Sequence, residues 1–431
     1  MKKNLRLAAG LGLSLALAAS TVACGGGSAQ QEQKVTSLSI VSGNNPWAAG
    51  IKKLLPDYEK KTGIKVNIET FGNEQLNDQY KVKLNASSAD TDVMVYQPQD
   101  VMREFTRNKW LTDLTAYTSK DTSWKWSDFQ KPAQEAAALD GKIYGIPLMT
   151  ERHVMYYRAD ILKANNIEVP KTLDELKAAT VKLNNPAKGF YGITMRGQKV
   201  PSVTQFSSFL YSFGGDFAKD GKAAVDSPEA VKAFTFYGDL LKTAGPPGAT
   251  NMGFVEASAI FAQGNAAFYL DADSQAYNFL DKTKSNVIDT VAYGSFPAGP
   301  AGSKPYNIVP WVAGVSEFSK KKDAAFEFIK WATSEDMFKA LMVSDTVPSP
   351  RQSTWDDTTA TAKFPAGLVK IVQGIAATGV GHDRPQLEQV ARAREFVGGP
   401  VVTAIEGGDV ATAATAANKS FQELLDKESK K

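Results

Sequence analysis

Few residues in this chain are equipped for metal or nucleophilic chemistry. His153 and His382 are its two histidines and Cys24 its one cysteine, too few for a zinc-type cluster of three or four such ligands. Tyr156-Tyr157 is a pair of a kind that can hold ferric iron. Neighbours on a strand face opposite ways, which predicts at least one buried ring. No Gly-x-Ser-x-Gly occurs to present a serine nucleophile. Gly299 to Lys304 (GPAGSK) has the composition of a phosphate loop but the wrong spacing. Paired carboxylates for glycoside hydrolysis stay open, because their separation is a three-dimensional property. What the chain does offer is polar residues directly after strand-like runs: Asn44 and Asn45, Arg196, and Asp271. A carboxylate accepts two hydroxyls at once, a guanidinium fork donates to two, and an amide does both. Each has a plainer alternative. Asn45 before Pro46 suits a helix cap, and Arg196 equally suits holding an acidic side chain in place.

These residues need elements to position them. Leu38 to Val41 is a short β-type run, broken by Asn44-Asn45-Pro46. Trp47 to Lys61 carries Ile51, Leu54, Leu55 and Tyr58 at helical spacing. Ile64 to Ile68 reads as a strand, Glu74 to Leu84 as an amphipathic helix, and Asp92 to Tyr96 as a buried strand before Pro98. This β-α-β-α-β order predicts a mostly parallel sheet covered by helices. Further on, Asp140-Gly141-Lys142 is a turn, and Val154 to Tyr157 is a strand leading into a helix through Leu162. Thr172 and Glu175 have capping-box spacing. Ser227-Pro228-Glu229 opens a helix that Gly245 ends, Ala266 to Leu270 is a strand, and Asp323 to Thr333 is a helix with Phe328 and Trp331 on its core face. Gln386 to Ile405 and Val410 to Leu425 are late helices. The length exceeds what one hydrophobic core usually organises, so two lobes are expected. No obvious linker separates them, which suggests a chain that crosses between lobes more than once.

The amino terminus reads as an export signal. Lys2, Lys3 and Arg6 precede the apolar run Leu11 to Ala19, and small residues lead to Cys24. The run is shorter than the ~20 apolar residues of a membrane-spanning helix. A chain with one cysteine forms no internal disulfide. Thr21-Val22-Ala23-Cys24 resembles a bacterial lipobox, although Thr21 stands where Leu is usual. That resemblance implies a signal peptide over 1–23, lipid attachment at Cys24, and a glycine-rich tether over 24–36. Removing 1–23 takes away three basic residues and no acidic ones, so the formal charge falls from +3 to neutral. No basic excess then argues for nucleic acid.

Several segments in order resemble the solute-binding proteins of carbohydrate ABC importers: Leu54 to Val66 (LLPDYEKKTGIKV), Asp92 to Val95, Asp140 to Leu162, Pro170 to Leu176 and Lys320 to Ala340. Tyr191 to Gly197 (YGITMRG), Ala244 to Ala249 with Asn251 to Glu256, and Phe261 to Asp271 (FAQGNAAFYLD) are similar to the sorbitol and mannitol branch. Gln198 to Pro201 departs from that branch, which has aromatic and acidic residues there. The resemblance implies a two-lobed α/β fold of the type II periplasmic-binding-protein kind. One lobe takes 37–149 with about 308–360, the other 150–307 with about 361–431, and the ligand sits between them. It implies capture of a sugar or polyol by lobe closure, delivery to a membrane permease, no cofactor, no metal, no catalysis, and a monomer lipid-anchored outside the cell membrane. Matching positions imply ligand contacts at Asn44, Asn45, Glu151, Arg196, Asp271 and Trp311, with Gln97 and Arg351 as further candidates. For Glu151 the plainer alternative is a hinge salt bridge with Arg152; for Trp311 it is core packing. A surface-anchored glycosidase, a binder of a non-carbohydrate solute and an adhesion lipoprotein are the other readings.

Overall fold

The computed structural model describes residues 34–375 and 379–430. The expected leader, Cys24 and the tether up to residue 33 lie outside them. The alternation read in the first hundred residues builds β1 (Ser37–Gly43), α1 (Pro46–Thr62), β2 (Lys65–Phe71), α2 (Asn73–Asn85), β3 (Val93–Tyr96) and α3 (Pro98–Arg107). Local chemistry sets the joints. Asn45 Oδ1 accepts from Ala48 N at 2.8 Å, and Pro46 fills the first helical turn, where its missing N–H is not needed. Gly63 ends α1 at φ 72, a left-handed conformation that glycine adopts without a Cβ clash.

The chain continues through β4 (Ile146–Arg158), α4 (Leu173–Leu183), β5 (Tyr191–Thr194), α5 (Lys199–Ser212), α6 (Pro228–Ala244), α7 (Phe254–Ala262), β6 (Ala266–Ala272) and β7 (Val291–Ser295). It ends with β8 (Asn307–Val315), α8 (Lys322–Ala332), α9 (Glu335–Asp345), α10 (Ala366–Ile375), α11 (Val390–Glu406) and α12 (Val410–Ser429). Thr172 and Glu175 cap α4 reciprocally, as their spacing predicts. Asp140 and Gly141 both take left-handed φ, 51 and 77, and turn Ala138–Leu139 back onto Lys142–Ile143.

The main sheet runs β2-β1-β3-β8-β4-β6-β5, with β7 also paired to β4. β4 is thirteen residues long and serves two cores. Its first half pairs with β8, Ile146 opposite Ala313 and Glu151 opposite Ile308. Its second half pairs with β6 and β7, Val154 facing both Asp271 and Ser295. Ile146, Leu148 and Met149 pack with Ile40, Val95, Val312 and Phe328. Met155 packs instead with Ile193, Phe206, Phe234, Val397 and Phe421. Val154 and Tyr156 face a third cluster with Tyr269, Phe279, Trp355 and Val372. One strand thus serves the first cluster with its first half and the other two with its second, and Pro348 and Ser349 join it at the changeover, their carbonyls accepting from Thr150 N and Oγ1 at 3.0 and 3.2 Å.

Two sequence expectations change here. The sheet is mixed rather than mostly parallel. β1 pairs in parallel with β2 and β3, and β5 with β6, but the crossing strands run antiparallel because β8 brings back the chain that β4 carried out. The last-but-one helix begins at Val390, four residues after the expected Gln386, because Pro385 and the charged pair before it occupy a loop. Phe328 is core as expected, wedged with Trp331 against Tyr58 at ring distances of 5.3 and 4.8 Å. Tyr156 is buried and donates its hydroxyl to Ala272 O at 2.6 Å, so the tyrosine pair does not converge on an ion. Among the described residues no helix is long and apolar enough to cross a membrane.

Candidate functional site

The polar centre of the molecule lies where β4 crosses between lobes. Parallel strands commonly present ligand groups at their carboxyl ends, and β1, β3, β5 and β6 end here. Arg196 follows β5 and Asp271 is the penultimate residue of β6. The Arg196 fork meets the Asp271 carboxylate bidentately, Nε to Oδ2 at 2.8 Å and Nη2 to Oδ1 at 2.5 Å. Gln205 Nε2 also donates to Oδ2, at 3.2 Å, and Ala272 N to Oδ1, at 2.7 Å. A carboxylate has about four acceptor positions, and protein donors fill them. Asp271 is therefore placed to hold Arg196 rather than to accept a ligand hydroxyl. Arg196 itself keeps Nη1 without a partner among the described residues, and its guanidinium lies 5.4 Å from the centre of the half-exposed Phe254 ring.

Glu151 stands next to this pair. It is partly buried and accepts from Ser274 Oγ at 2.7 Å. The alternative of a hinge bridge to Arg152 is not what forms. Arg152 turns to Asp273, Nη1 to Oδ2 at 3.0 Å, while its Nη2 donates to Gln130 Oε1 at 2.8 Å. Burial drives the Glu151 carboxyl up to about 7, with Asp273 and Asp271 pushing the same way against Ser274 and Arg196. A linkage effect follows. Between about 4.5 and about 7 the folded protein holds a proton that the unfolded chain has released, so stability falls as pH rises across that window and flattens above it. Glu151→Gln is expected to remove this slope. Urea midpoints at about pH 5, 6 and 7.5 test it, and a slope that persists in the variant would assign the titration to another group.

Behind these groups His153 stacks on Tyr306, ring centres 4.9 Å apart, and its Nδ1 meets Ser208 Oγ at 2.7 Å. Burial takes its imidazole down to about 3, so it is neutral at physiological pH. The Tyr306 hydroxyl is buried without a hydrogen-bond partner among the described residues, in the electrostatic reach of Asp271, Arg196, Glu151 and Asp383. Tyr237 closes the back, its one hydroxyl proton shared between Arg196 O at 2.5 Å and Gln205 Oε1 at 2.7 Å.

The other sequence candidates separate into three groups. Asn44 is exposed at the end of β1, and Gln97 is partly buried at the start of α3 with no cap bond from its side chain. Both leave their amides open. Asn45 is spent on the α1 cap, its Nδ2 also donating to Gly43 O at 3.1 Å, so here the plainer reading holds. Trp311 packs in the first core with 6% of its surface exposed. Its ring lies against Gly43, where an added Cβ would come within 2.2 Å of Cη2, so little of its face is left for stacking. Arg351 lies elsewhere. Its Nε donates to Thr333 O at 2.9 Å, Nη2 to Trp124 O at 2.8 Å, and Nη1 to Lys125 O and Asp128 Oδ2 at 3.0 and 3.1 Å, over the face of Phe129. Its donors tie loops of the first lobe together. Arg351→Ala is expected to cost roughly 3 kcal/mol of stability by stranding buried acceptors, with ligand affinity of the folded fraction unchanged. Urea unfolding and calorimetric titration separate the two.

Residues that the sequence reading passed over complete the site. Val380 N donates to Pro305 O and Asn307 N to Val380 O, each at 2.8 Å. This lays the segment 379–384 beside Tyr306 and brings in Asp383 and Arg384. Asp383 is fully buried, which by itself would raise its carboxyl, but Arg384 beside it, with Arg394 and Thr204, holds it down to about 2. A signal existed: a Gly-rich stretch, an Asp-Arg pair and Pro385 mark a loop. Gln205 and Ser208 were hidden inside α5, buried along most of its length. Among the described residues no group of three or more His, Cys, Asp or Glu side chains is arranged to hold a metal ion.

A model of bacterial extracellular solute-binding proteins matches residues 44–337. The mannitol-binding protein of Pseudomonas aeruginosa is 28% identical over 239 residues, 53% of this chain and 55% of that protein, so the chain spans about half the length of that relative. A solute-binding protein of an ABC transporter from Agrobacterium radiobacter K84, solved with ribitol, superposes with a TM-score of 0.80 at 26% identity, over 90% of this chain and 98% of that one. Maltose-bound MalE3 of T. maritima gives 0.79 at 25% identity, over 90% and 99%.

Proposed function

The chain belongs to the bacterial extracellular solute-binding protein family, and from that premise we propose that it captures a neutral polyhydroxylated ligand, a polyol or a sugar, for an ABC importer. The observation that carries this is the arrangement at Arg196 and Glu151. One side chain offers oriented N–H donors and the other an acceptor carboxyl, side by side at the lobe crossing. Ligand hydroxyls need both. The charges around them are already matched: Arg196 by Asp271, Arg152 by Asp273, Arg384 by Asp383 and Asp100. These three guanidinium groups are spent on the protein's own carboxylates, while the partly buried Arg394 nearby donates to Val200 O and Thr204 Oγ1; donors already turned to the protein favour a neutral solute over an anion. Asn44 and Gln97 supply contacts from the first lobe. Arg196, Glu151 and the Phe254 face supply them from the crossing and the second. The relatives and neighbours named for mannitol, ribitol and maltose support this class.

The ligand closes the lobes about β4, β8 and the 346–351 segment, and the closed form is read by the permease. The protein works as a monomer outside the cell membrane, tethered through Cys24, and releases its ligand unchanged. A thermal-shift screen across polyols, monosaccharides and disaccharides, with peptides and anions as controls, tests the reading. A true ligand at a hundred times its Kd adds about 2.7 kcal/mol of stability. Shifts with peptides or anions alone would overturn it, and ligand recovered as cleaved product would show an enzyme instead.

A further inference from the structure

The Arg196–Asp271 pair rests on a side chain behind it. Gln205 lies in α5 and is fully buried. An amide has two acceptor positions and two N–H donors, and here all of them are taken. Oε1 accepts from Arg196 N at 2.7 Å and shares the Tyr237 hydroxyl proton, also at 2.7 Å. Nε2 donates to Asp271 Oδ2 at 3.2 Å and to Leu270 O. These partners fix the amide's orientation, since its nitrogen faces a carboxylate and a carbonyl while its oxygen faces an N–H. Arg196 is thereby held at both ends. Gln205 fixes its backbone N and Tyr237 its backbone O. Asp271 fixes its fork, and the same Oδ2 that takes Arg196 Nε also takes Gln205 Nε2. One amide therefore sets both the root of the arginine side chain and the anchor of its tip.

We propose that Gln205 is a positioning residue: it aims the remaining Nη1 of Arg196, and so sets how sharply the site tells apart polyols or sugars that differ in the configuration of a single carbon. This rests on the carbohydrate reading above. Hydrogen bonds weaken steeply as donor and acceptor fall out of line, and several rotatable bonds separate the arginine backbone from its fork. A fork held at root and tip offers its free N–H along one direction, which suits one hydroxyl configuration and not its mirror at that carbon. A fork loosened at either end follows the ligand and serves both configurations alike. Side chains locked by hydrogen bonds from behind are what give a binding group this accuracy.

The test is calorimetric titration of the full chain with pairs that differ at one carbon: D-mannitol and D-glucitol, ribitol and D-arabinitol, D-glucose and D-mannose, maltose and cellobiose. The proteins are the wild type, Gln205→Glu and Gln205→Met. Gln205→Glu keeps the size and the acceptor oxygen but loses both donors and sets a second carboxylate against Asp271. Gln205→Met removes every bond of the amide at similar volume and adds no charge, so it stands in should the first variant fail to fold; far-UV circular dichroism and melting curves check both. One well-aimed hydrogen bond corresponds to about a tenfold change in Kd. The wild type is expected to prefer one member of a pair by about tenfold or more. In a folded variant the Kd of that member is expected to rise about tenfold and that of its pair by less than about threefold, so that the preference shrinks. Equal losses for both members, or no loss, in a folded variant overturn the positioning role and leave the carbohydrate reading standing, as does a wild type that binds both members of every pair alike. A wild type that binds no member of the panel overturns both.

Discussion

Asp271→Ala is expected to weaken ligand binding at least a hundredfold, about 2.7 kcal/mol, and to destabilise the fold by about 3–5 kcal/mol. The size follows from what the carboxylate holds. Asp271 is fully buried and receives the Arg196 fork, the Gln205 amide and the Ala272 N–H. Removing it leaves a guanidinium without its counter-charge in a site of low polarisability, where an unpaired charge is far more costly than an unmade neutral bond. Arg196 then swings toward water or toward Glu151, and the donors it presents to the ligand lose their aim. Arg196→Lys separates charge from aim. It keeps the cation and loses the planar fork, so it should retain most of the stability and lose much of the affinity. Titration calorimetry and urea unfolding read the two quantities separately. Wild-type affinity in folded Asp271→Ala would remove the pair from the site.

How much of this was legible in the sequence depended on the range of the interaction. Joints set within a few residues were readable: the Thr172–Glu175 caps, the Asn45–Pro46 start of α1, the Asp140-Gly141 turn. Strands were readable as apolar runs, but the length of β4 was not. Residues 146–158 contain Glu151, Arg152 and His153, which break the run, and they are tolerated in a strand because Ser274, Asp273 and Ser208 from distant segments each partner one of them. The same reason explains the site. Position after a strand singled out Arg196 and Asp271, the family resemblance singled out Glu151, and the fold sets the three side by side. Neither signal revealed that Asp271 would be filled by protein donors, since three of the four come from Arg196 and Gln205, far away in sequence. Asn45, Trp311 and Arg351 show the converse. Each has chemistry suited to a ligand, and in each a neighbour claims it first: the α1 backbone, the Gly43 backbone, and four acceptors in the first lobe. Pattern reports what a side chain is able to bind, and only packing decides what reaches it.

The Arg152–Asp273 pair carries the other large expected effect, on stability at the crossing itself. Arg152 is fully buried on β4 and Asp273 is nearly so, just after β6. Arg152 also donates to Gln130, lies 5.1 Å from the Trp355 ring centre, and leaves Nε without a partner among the described residues. One side chain thereby joins the first lobe, the crossing strand and the segment after β6. Burial raises the Asp273 carboxyl even beside a cation, and the same burial lowers the Arg152 guanidinium. Both shifts have one cause: each charge resists leaving water, and the attraction between them only partly offsets this. Such a pair adds little net stability yet is costly to break. Asp273→Ala and Arg152→Met should each lose about 3–5 kcal/mol, since each strands the other's charge or hydrogen bonds. The double variant should lose clearly less than the two single losses added together, with a coupling of about 2 kcal/mol. Equilibrium urea unfolding of the four proteins closes the cycle. Additive losses would mean that the two side chains act independently, and the crossing would then owe its rigidity to the strand ladder of β4 and β8 alone.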